Sequence, residues 1–150
     1  MTPLEVVAEQ LGVVAPWIER GGAYWLDPGN LNPRQLAAQM HLLRARFVTI
    51  TAYELPAHEG FRLEYHWDLD GRLLGFPVRI SGTSIESIAD LCEAADWIER
   101  EIHEEYNIDF IGRKYEPLLL REGDRLGVNL RDADGAVKAS GVQARQEVAK

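Results

Sequence analysis

The sequence contains little that would support redox or metal chemistry of its own. Cys92 is the only cysteine among 150 residues, so the chain can form neither an internal disulfide nor a cysteine-ligated zinc or iron–sulfur site. None of the four histidines lies at a spacing that brings two imidazole rings to one metal ion. Glycine-rich phosphate loops and the GxSxG motif of serine hydrolases are also missing. We therefore expect that this chain binds no cofactor.

Long apolar runs and an excess of basic residues are missing as well. No stretch approaches the roughly 18–20 apolar residues of a membrane helix, and the acidic N-terminus does not resemble a signal peptide. These features predict a cytoplasmic protein. The chain has 16 basic and 24 acidic residues, a net charge of −8. This charge disfavours a nucleic-acid binder, because such proteins need a basic surface against phosphate.

Most of the negative charge lies in one segment, residues 84–106. It contains eight acidic residues and one basic residue, Arg100, which gives a net charge of −7. The rest of the chain is nearly neutral. Electrostatic attraction of a partner would therefore arise mainly from this segment.

The hydrophobic pattern predicts one α+β domain over residues 1–120, with the order α-β-β-α-β-β-β-α. Two layers are expected, a mixed, mostly antiparallel sheet and the helices that cover it. The clearest strand is 61–69, where apolar and polar residues alternate strictly, and a hairpin turn leads from it into a strand over 72–80. Pro77 would confine that strand to an edge or an outward position. The strand at 47–55 has apolar groups on both faces, which predicts a central place in the sheet.

Three helices are expected. The first begins with a capping box formed by Thr2 and Glu5, and the second begins at Asn32 and covers about residues 33–45. The third is predicted to be long, to begin at Ser84 and to end near Tyr106.

The C-terminal part of the chain differs in composition from the rest. No aromatic residue follows Tyr115, and from Arg131 onward alanine, glycine, valine, glutamine and mixed charges predominate. This composition predicts that residues 121–150 form an extended, flexible tail that a partner orders.

The residues that could form a metal site, and the cysteine that could act as a nucleophile, each have a simpler interpretation. His66, Asp68 and Asp70 alternate on the polar face of a predicted strand and could ligate a divalent metal. A solvated outer face explains the same residues and is favoured, because no further ligands are marked. Cys92 falls on the apolar side of the predicted third helix, which favours core packing over thiolate chemistry. A stand-alone metal-dependent enzyme is therefore only a remote alternative.

Two residues of the predicted third helix occupy unexpected positions. Glu99 falls inside the apolar arc, where a carboxylate needs a partner, either His103 or an arginine from elsewhere in the fold or from another chain. Alternatively, Glu99 reaches water at the edge of the arc. Trp97 projects among charged residues on the opposite face. An exposed tryptophan is typical of a protein interface, although a loop or the tail could cover it.

Residues 95–112 resemble the signature of the 30-kDa subunit of respiratory complex I, which reads approximately A-x-W-x-E-R-E-x-x-D-x-F/Y-G-I-x-F-x-G-H-P. The identities with this signature are Trp97, Glu99, Arg100, Glu101, Tyr106, Ile108, Phe110 and Gly112. The similarity covers about residues 45–125. The sequence differs from the family at Asn107, which replaces a glycine, and at Arg113 and Lys114, which replace His-Pro.

The resemblance implies a non-catalytic, cofactor-free subunit of a membrane-bound respiratory complex. The subunit would be peripheral to the inner face of the cell membrane and attached to it only through the complex. It would dock on the large catalytic subunit, next to iron–sulfur subunits, and join it to the electron-input module. Iron–sulfur clusters, a nickel–iron site or quinone would then belong to the partners.

Two kinds of complex are compatible with this resemblance. The short, diverged chain is similar to the family's counterparts in proton-translocating, energy-converting nickel–iron hydrogenases, in which ferredoxin or CO dehydrogenase drives proton reduction. The 30-kDa subunit of NADH-quinone oxidoreductase, which is complex I itself, is the alternative. A free-standing binding module unrelated to respiration also remains open.

The resemblance and the residue patterns together predict the partner interface. Trp97 and Arg100 would be anchors, Glu99 and Glu101 would pair with basic groups, and Arg113 and Lys114 would reach acidic groups. The full set of predicted interface residues is Trp97, Glu99, Arg100, Glu101, Tyr106, Arg113 and Lys114.

Overall fold

The computed structural model describes residues 1–131 as a five-stranded sheet, a pair of short strands and three helices. In chain order the elements are α1 (Pro3–Gln10), β1 (Ile18–Arg20), β2 (Ala23–Trp25), α2 (Pro33–Leu42), β3 (Arg46–Glu54), β4 (Phe61–Leu69), β5 (Arg72–Ile80), β6 (Ser84–Glu86), α3 (Asp96–Tyr106) and β7 (Asp109–Ile111). The predicted α+β class with a mixed, mostly antiparallel sheet is confirmed. The structure adds the two short strands β6 and β7 to the predicted order.

The large sheet has the order β1-β2-β5-β4-β3. All neighbours are antiparallel except β2 and β5, which are parallel. The predicted central place of β3 is wrong, because β3 forms one edge of the sheet. Its outer face carries Val48 and Tyr53, which are 40% and 39% exposed. These two side chains explain why both faces of the strand look apolar without a further strand beside it.

The pairing of β5 shows how the strand accommodates Pro77, which has no backbone N–H to donate. β5 lies between β2 and β4, but β2 pairs only with Leu74 and Gly75 of β5. Pro77 therefore lies beyond the end of β2, so β5 forms a local edge on that side although Pro77 pairs with Glu64 of β4 on the other.

The core lies between the inner face of the sheet and the helices. Leu63 and Tyr65 of β4 are fully buried, as are Val7 of α1 and Leu36 and Met40 of α2. The strict alternation along β4 places every second side chain in this core. The capping box predicted at the start of α1 is confirmed, and it fixes the helix that covers this end of the sheet.

The long third helix predicted from Ser84 is wrong in its first half. Residues 84–86 form β6, which pairs in parallel with β7. A short 3₁₀ turn, Glu93–Ala95, precedes α3, which begins at Asp96. The apolar residues between Ser84 and Asp96 match a helical arc only by coincidence. In the structure most of them pack against the core from strand β6 and from the residues that connect it to α3. Cys92 consequently lies ahead of α3, half-buried against the core.

α3 ends at a residue with left-handed backbone geometry. Asn107 has φ 54° and ψ 37°, and its N–H donates to the carbonyl of His103. Glycine adopts this geometry without strain, and asparagine tolerates it better than other residues do. The family signature has glycine here, so the substitution by asparagine preserves the turn that leads into β7.

We expect Asn107→Ala to lower the free energy of unfolding by about 1–2 kcal/mol, because a Cβ without a local hydrogen-bonding group is strained in this region. Asn107→Gly should change it by less than about 0.5 kcal/mol. Urea unfolding of the two variants checks this. Equal stability of the alanine variant and the wild type would contradict it.

The first part of the predicted tail contacts α3. The N–H groups of Gly127 and Asn129 donate to the carbonyls of Glu104 and Glu105 at 2.7 and 2.9 Å, and Leu126 is buried. Residues 121–131 thus satisfy carbonyl groups in the last turn of the helix. The remainder of the predicted tail, residues 132–150, lies outside the described residues. Within residues 1–131, no helix is long and apolar enough to cross a membrane.

Candidate functional site

Glu99 is fully buried and bound by three groups of its own chain. Its carboxylate accepts from the hydroxyl of Ser87 at 2.6 Å, the N–H of Ile88 at 2.7 Å and the guanidinium of Arg113 at 3.2 Å. Burial raises the pKa of Glu99, and the three donors only partly offset this effect. The arginine that pairs with this carboxylate therefore comes from elsewhere in the same fold.

Arg113 and Arg100 share a second carboxylate, Asp96 at the start of α3. Arg113 also binds the Asp96 carbonyl, and Arg100 donates to the carbonyls of Glu116 and Pro117 at 2.8 and 2.7 Å. Partial burial raises the pKa of Asp96, but the hydrogen bonds from the two arginines outweigh it and lower the pKa. Both guanidinium groups are mainly engaged inside the chain, with side chains 14% exposed.

Glu104 holds the loop that follows β7. Its carboxylate accepts from the Tyr115 hydroxyl and from the N–H groups of Leu118, Leu119 and Leu120, the last three at 2.8, 2.9 and 3.3 Å. Burial raises the pKa of Glu104, but these donors outweigh burial and lower it overall. The loop is therefore tied to α3 by this buried carboxylate as well as by Arg100.

A pocket of about 230 Å³ lies between α3, β7 and this loop. Its lining includes His103, Asp109, Phe110, Arg113 and Tyr115. The His103 Nδ1 bonds to the carbonyl of Ile108 at 2.8 Å, and the ring of Tyr115 lies 4.1 Å from the imidazole, centroid to centroid. The pocket is thus bounded by the same residues that fix the loop.

Three large apolar side chains are exposed on the elements that form the site. Trp97 is 69% exposed on α3, Leu119 is 65% exposed on the loop, and Ile111 is 56% exposed at the end of β7. Two of them are joined directly to the network: Asp96 precedes Trp97, and Leu119 donates its N–H to Glu104. We call these three side chains the apolar rim.

The predicted interface residues fall into two groups. Trp97 and Lys114 are exposed, and Glu101 and Tyr106 are half-buried, with Tyr106 packed against Phe61 at a ring distance of 5.8 Å. Glu99, Arg100 and Arg113 instead make contacts within this chain. The structure joins α3 to the loop after β7 through ion pairs within the chain, and the interface role of these residues stays a prediction.

Sequence reasoning missed the roles of Asp96, Glu104 and Tyr115. The signal for Glu104 was its place in the family motif, where an acidic residue is usual. Nothing in the local pattern showed that its partners are backbone amides of residues 118–120, because these lie more than ten residues further along the chain.

Two of the three residues considered as metal ligands have other contacts. The half-buried ring of His66 packs edge-on against Trp25. Asp68 lies 3.5 Å from Arg46 and accepts from the N–H of Gly71. In the described part of the chain, no group of three or more histidine, cysteine, aspartate or glutamate side chains is placed to hold a metal ion.

The fold occurs in other solved structures, two of which show the likeness. The trypsin-resistant fragment (1–134) of Nqo5 is 22% identical, covers 73% of this chain and 96% of its own, and has a TM-score of 0.57. A chain of the membrane-bound sulfane sulfur reductase, an archaeal respiratory membrane complex, is 16% identical, covers 83% of this chain and 77% of its own, and has a TM-score of 0.64. No curated protein matches the chain in sequence.

A match to a family model shows which family the chain belongs to. The family model described as respiratory-chain NADH dehydrogenase, 30 Kd subunit, matches residues 30–133. This chain belongs to that family. It is therefore a subunit of a respiratory complex of the complex I type or of a related membrane complex, and it has partner subunits there.

Proposed function

We propose that the protein is a non-catalytic, peripheral subunit that docks on the large catalytic subunit and joins it to the electron-input module. Neighbouring iron–sulfur subunits would complete the contact. The observation that carries this proposal is the 69% exposure of Trp97. The helix that carries Trp97 is held by buried and partly buried ion pairs. Aromatic side chains held in this way are typical energetic centres of protein interfaces.

The network behind Trp97 explains why α3 suits this role. Asp96 and Glu99 are bound by Arg100 and Arg113, so the helix and the loop after β7 form one pre-ordered surface. A partner that binds this surface loses little conformational entropy from the helix backbone. The apolar rim supplies the area that binding would bury.

The charge of the surface indicates a basic partner. Glu101 and Glu105 lie on α3 beside the network, and Asp109 lies on β7 with a side chain that is 71% exposed. Partial burial and then the charge of Glu101 raise the pKa of Glu105, as expected for carboxylates that share one surface. A partner with lysine or arginine opposite these acids would relieve the repulsion.

We propose that electron-transfer groups belong to the partner subunits, as iron–sulfur clusters, a nickel–iron site or quinone. The large subunit would be either the 49-kDa type of complex I or the large subunit of a nickel–iron hydrogenase. We favour an energy-converting hydrogenase, linked to ferredoxin or CO dehydrogenase, with NADH-quinone oxidoreductase as the alternative complex. Arg113 and Lys114 in place of His-Pro support a diverged member. The fold shared with a membrane complex over 83% of the chain is compatible with this choice.

Trp97→Glu is expected to remove most of the large subunit recovered with the tagged full chain from mildly solubilised membranes. The reason is that a carboxylate cannot be buried where an indole packs, a loss of about 2 kcal/mol or more. Mass spectrometry of the recovered subunits measures the loss. It also identifies the complex, because a nickel–iron large subunit and a 49-kDa subunit differ in mass and in their companions.

Leu42→Glu is the matched control. Leu42 is 71% exposed at the end of α2, so the change places the same charge on an equally exposed apolar position away from α3. Recovery should equal that of the wild type. If Trp97→Glu keeps its partner, Trp97 is not the anchor, and if the wild type recovers no large subunit, the docking function is wrong.

A further inference from the structure

The pocket beside His103 is smaller than a small-molecule site. Its volume of about 230 Å³ lies below the roughly 300–1,000 Å³ of typical ligand pockets. It lies between α3, β7 and the loop after β7, the three elements that carry the apolar rim. A pocket of this size within a docking surface suits one side chain of a partner.

His103 offers this pocket an unused hydrogen-bond acceptor. The residue is 7% exposed, and its Nδ1 must donate to the carbonyl of Ile108, because a carbonyl only accepts. In the neutral ring the other nitrogen, Nε2, is then an acceptor. It is buried and has no partner among residues 1–131. A buried acceptor without a donor destabilises the free chain, so a donor supplied from outside would be bound favourably.

The remaining polar groups of the pocket also favour a donor. Two guanidinium groups, those of Arg100 and Arg113, also line the pocket. Arg113 is engaged by Asp96 and Glu99, and Arg100 by Asp96 and the carbonyls of Glu116 and Pro117, so neither has much capacity left for an incoming anion. The carboxylate of Asp109 lies 3.7 Å from the His103 Nδ1 and is 71% exposed. Asp109 therefore lines the pocket with an exposed carboxylate, and the imidazole acceptor is covered, with the ring of Tyr115 against the imidazole.

We infer that this pocket receives a cationic side chain, lysine or arginine, from the large catalytic subunit. The inference rests on the proposed docking function and names the chemistry of the contact. Asp109 makes the first ion pair with the cation, and His103 Nε2 accepts one of its N–H groups. The aromatic rings of Phe110 and Tyr115 flank the alkyl stem. Tyr115 shifts on entry, because its ring lies against the imidazole in the free chain.

The test measures how fast the large subunit dissociates from the complex immobilised through a tag on the full chain. Asp109→Lys places a like charge in the lining of the pocket, and dissociation should be at least about tenfold faster. Glu9→Lys is the control, because Glu9 is an exposed acid on α1 and the net charge changes equally. Its rate should equal that of the wild type.

A second pair of variants tests the imidazole. His103→Asn keeps a donor near the position of Nδ1 for the Ile108 carbonyl but removes Nε2, and we expect faster dissociation. His103→Gln keeps a polar group near Nε2 and should dissociate more slowly than the asparagine variant. A general loss of packing would affect both variants alike. Thermal unfolding of each purified variant shows whether the fold is retained.

The outcomes separate this inference from the proposed function. If Asp109→Lys dissociates at the wild-type rate while Trp97→Glu loses the large subunit, docking stands and the cation pocket is wrong. If Asp109→Lys and His103→Asn both dissociate faster and Glu9→Lys does not, the inference is supported. Carbodiimide coupling of Asp109 to a partner amine would then identify the cation as lysine, and its failure would point to arginine.

Discussion

Replacing Arg113 with methionine is expected to lower the free energy of unfolding by about 3–5 kcal/mol. The guanidinium binds Glu99, which is 0% exposed, and Asp96, and its own side chain is 14% exposed. Without it, Glu99 keeps only the Ser87 hydroxyl and the Ile88 N–H as donors. A domain of this size is typically stable by about 5–15 kcal/mol, so one substitution would remove a large share of the total.

The loss should depend on pH in a defined direction. Burial raises the pKa of Glu99 above the ordinary value of 4.5 even with Arg113 present. A carboxyl whose pKa is raised by folding favours the folded state fully below its unfolded pKa, and this contribution is lost as the pH rises through the folded pKa. Removing Arg113 raises the folded pKa further. The variant should therefore lose more stability at pH 8 than at pH 5, as measured by urea unfolding at both values.

Two controls accompany this prediction. Lys114→Met removes one positive charge from the adjacent, exposed position and should change stability by less than about 0.5 kcal/mol. The double variant Glu99→Gln/Arg113→Met has no buried charge and should recover most of the loss, with a coupling energy above about 1 kcal/mol. A double variant that is less stable than Arg113→Met would show that Glu99 is not the source of the penalty.

The parts of the fold that sequence analysis predicted are those with local causes. The alternation from Phe61 to Leu69 and the capping box at Thr2 each depend on residues a few positions apart. Long-range pairing was missed for the opposite reason. Residues 84–86 become a strand because residues 109–111 pair with them, and their apolar spacing alone equally fits a helix.

The same difference between local and long-range causes applies to the candidate site. The helical wheel identified Glu99 as a carboxylate on the apolar side, because that depends only on the period of α3. Its partner could not be chosen from His103 and distant arginines, since the answer requires the path of the loop after β7. The family resemblance pointed to Arg113 as a contact with a partner, which stays a prediction, and the structure adds that its guanidinium binds Asp96 and Glu99.

The second large effect is expected from Glu104→Gln, which should open the loop over residues 115–120. The carboxylate accepts from three backbone N–H groups and from Tyr115, and Glu104 is 1% exposed. Hydrogen bonds to a charged group contribute about 1.5–3 kcal/mol each, and an amide has one oxygen to replace two. We expect hydrogen exchange at Leu118 and Leu119 to be at least about 100-fold faster, since about 2.7 kcal/mol corresponds to that factor.

Glu101→Gln is the matched control, because it removes the same charge from a half-buried position of the same helix. Its loop amides should exchange at the wild-type rate. Acid provides an independent check on the wild type. Folding lowers the pKa of Glu104, so its contribution is present above the ordinary value of 4.5 and is lost as the pH falls through the folded pKa. At such an acid pH the hydrogen-exchange rate of the loop amides, corrected for the intrinsic pH dependence of exchange, should approach the rate in the Glu104→Gln variant.

An opened loop would also affect docking. The carbonyls of Glu116 and Pro117 hold Arg100, so opening the loop releases this arginine and removes Tyr115 from the wall of the pocket. Glu104→Gln should therefore weaken binding to the large subunit although Trp97 and Asp109 are unchanged. If exchange at Leu118 and Leu119 increases while the partner is retained at wild-type levels, the loop is not part of the docking surface, and that surface is confined to α3 and β7.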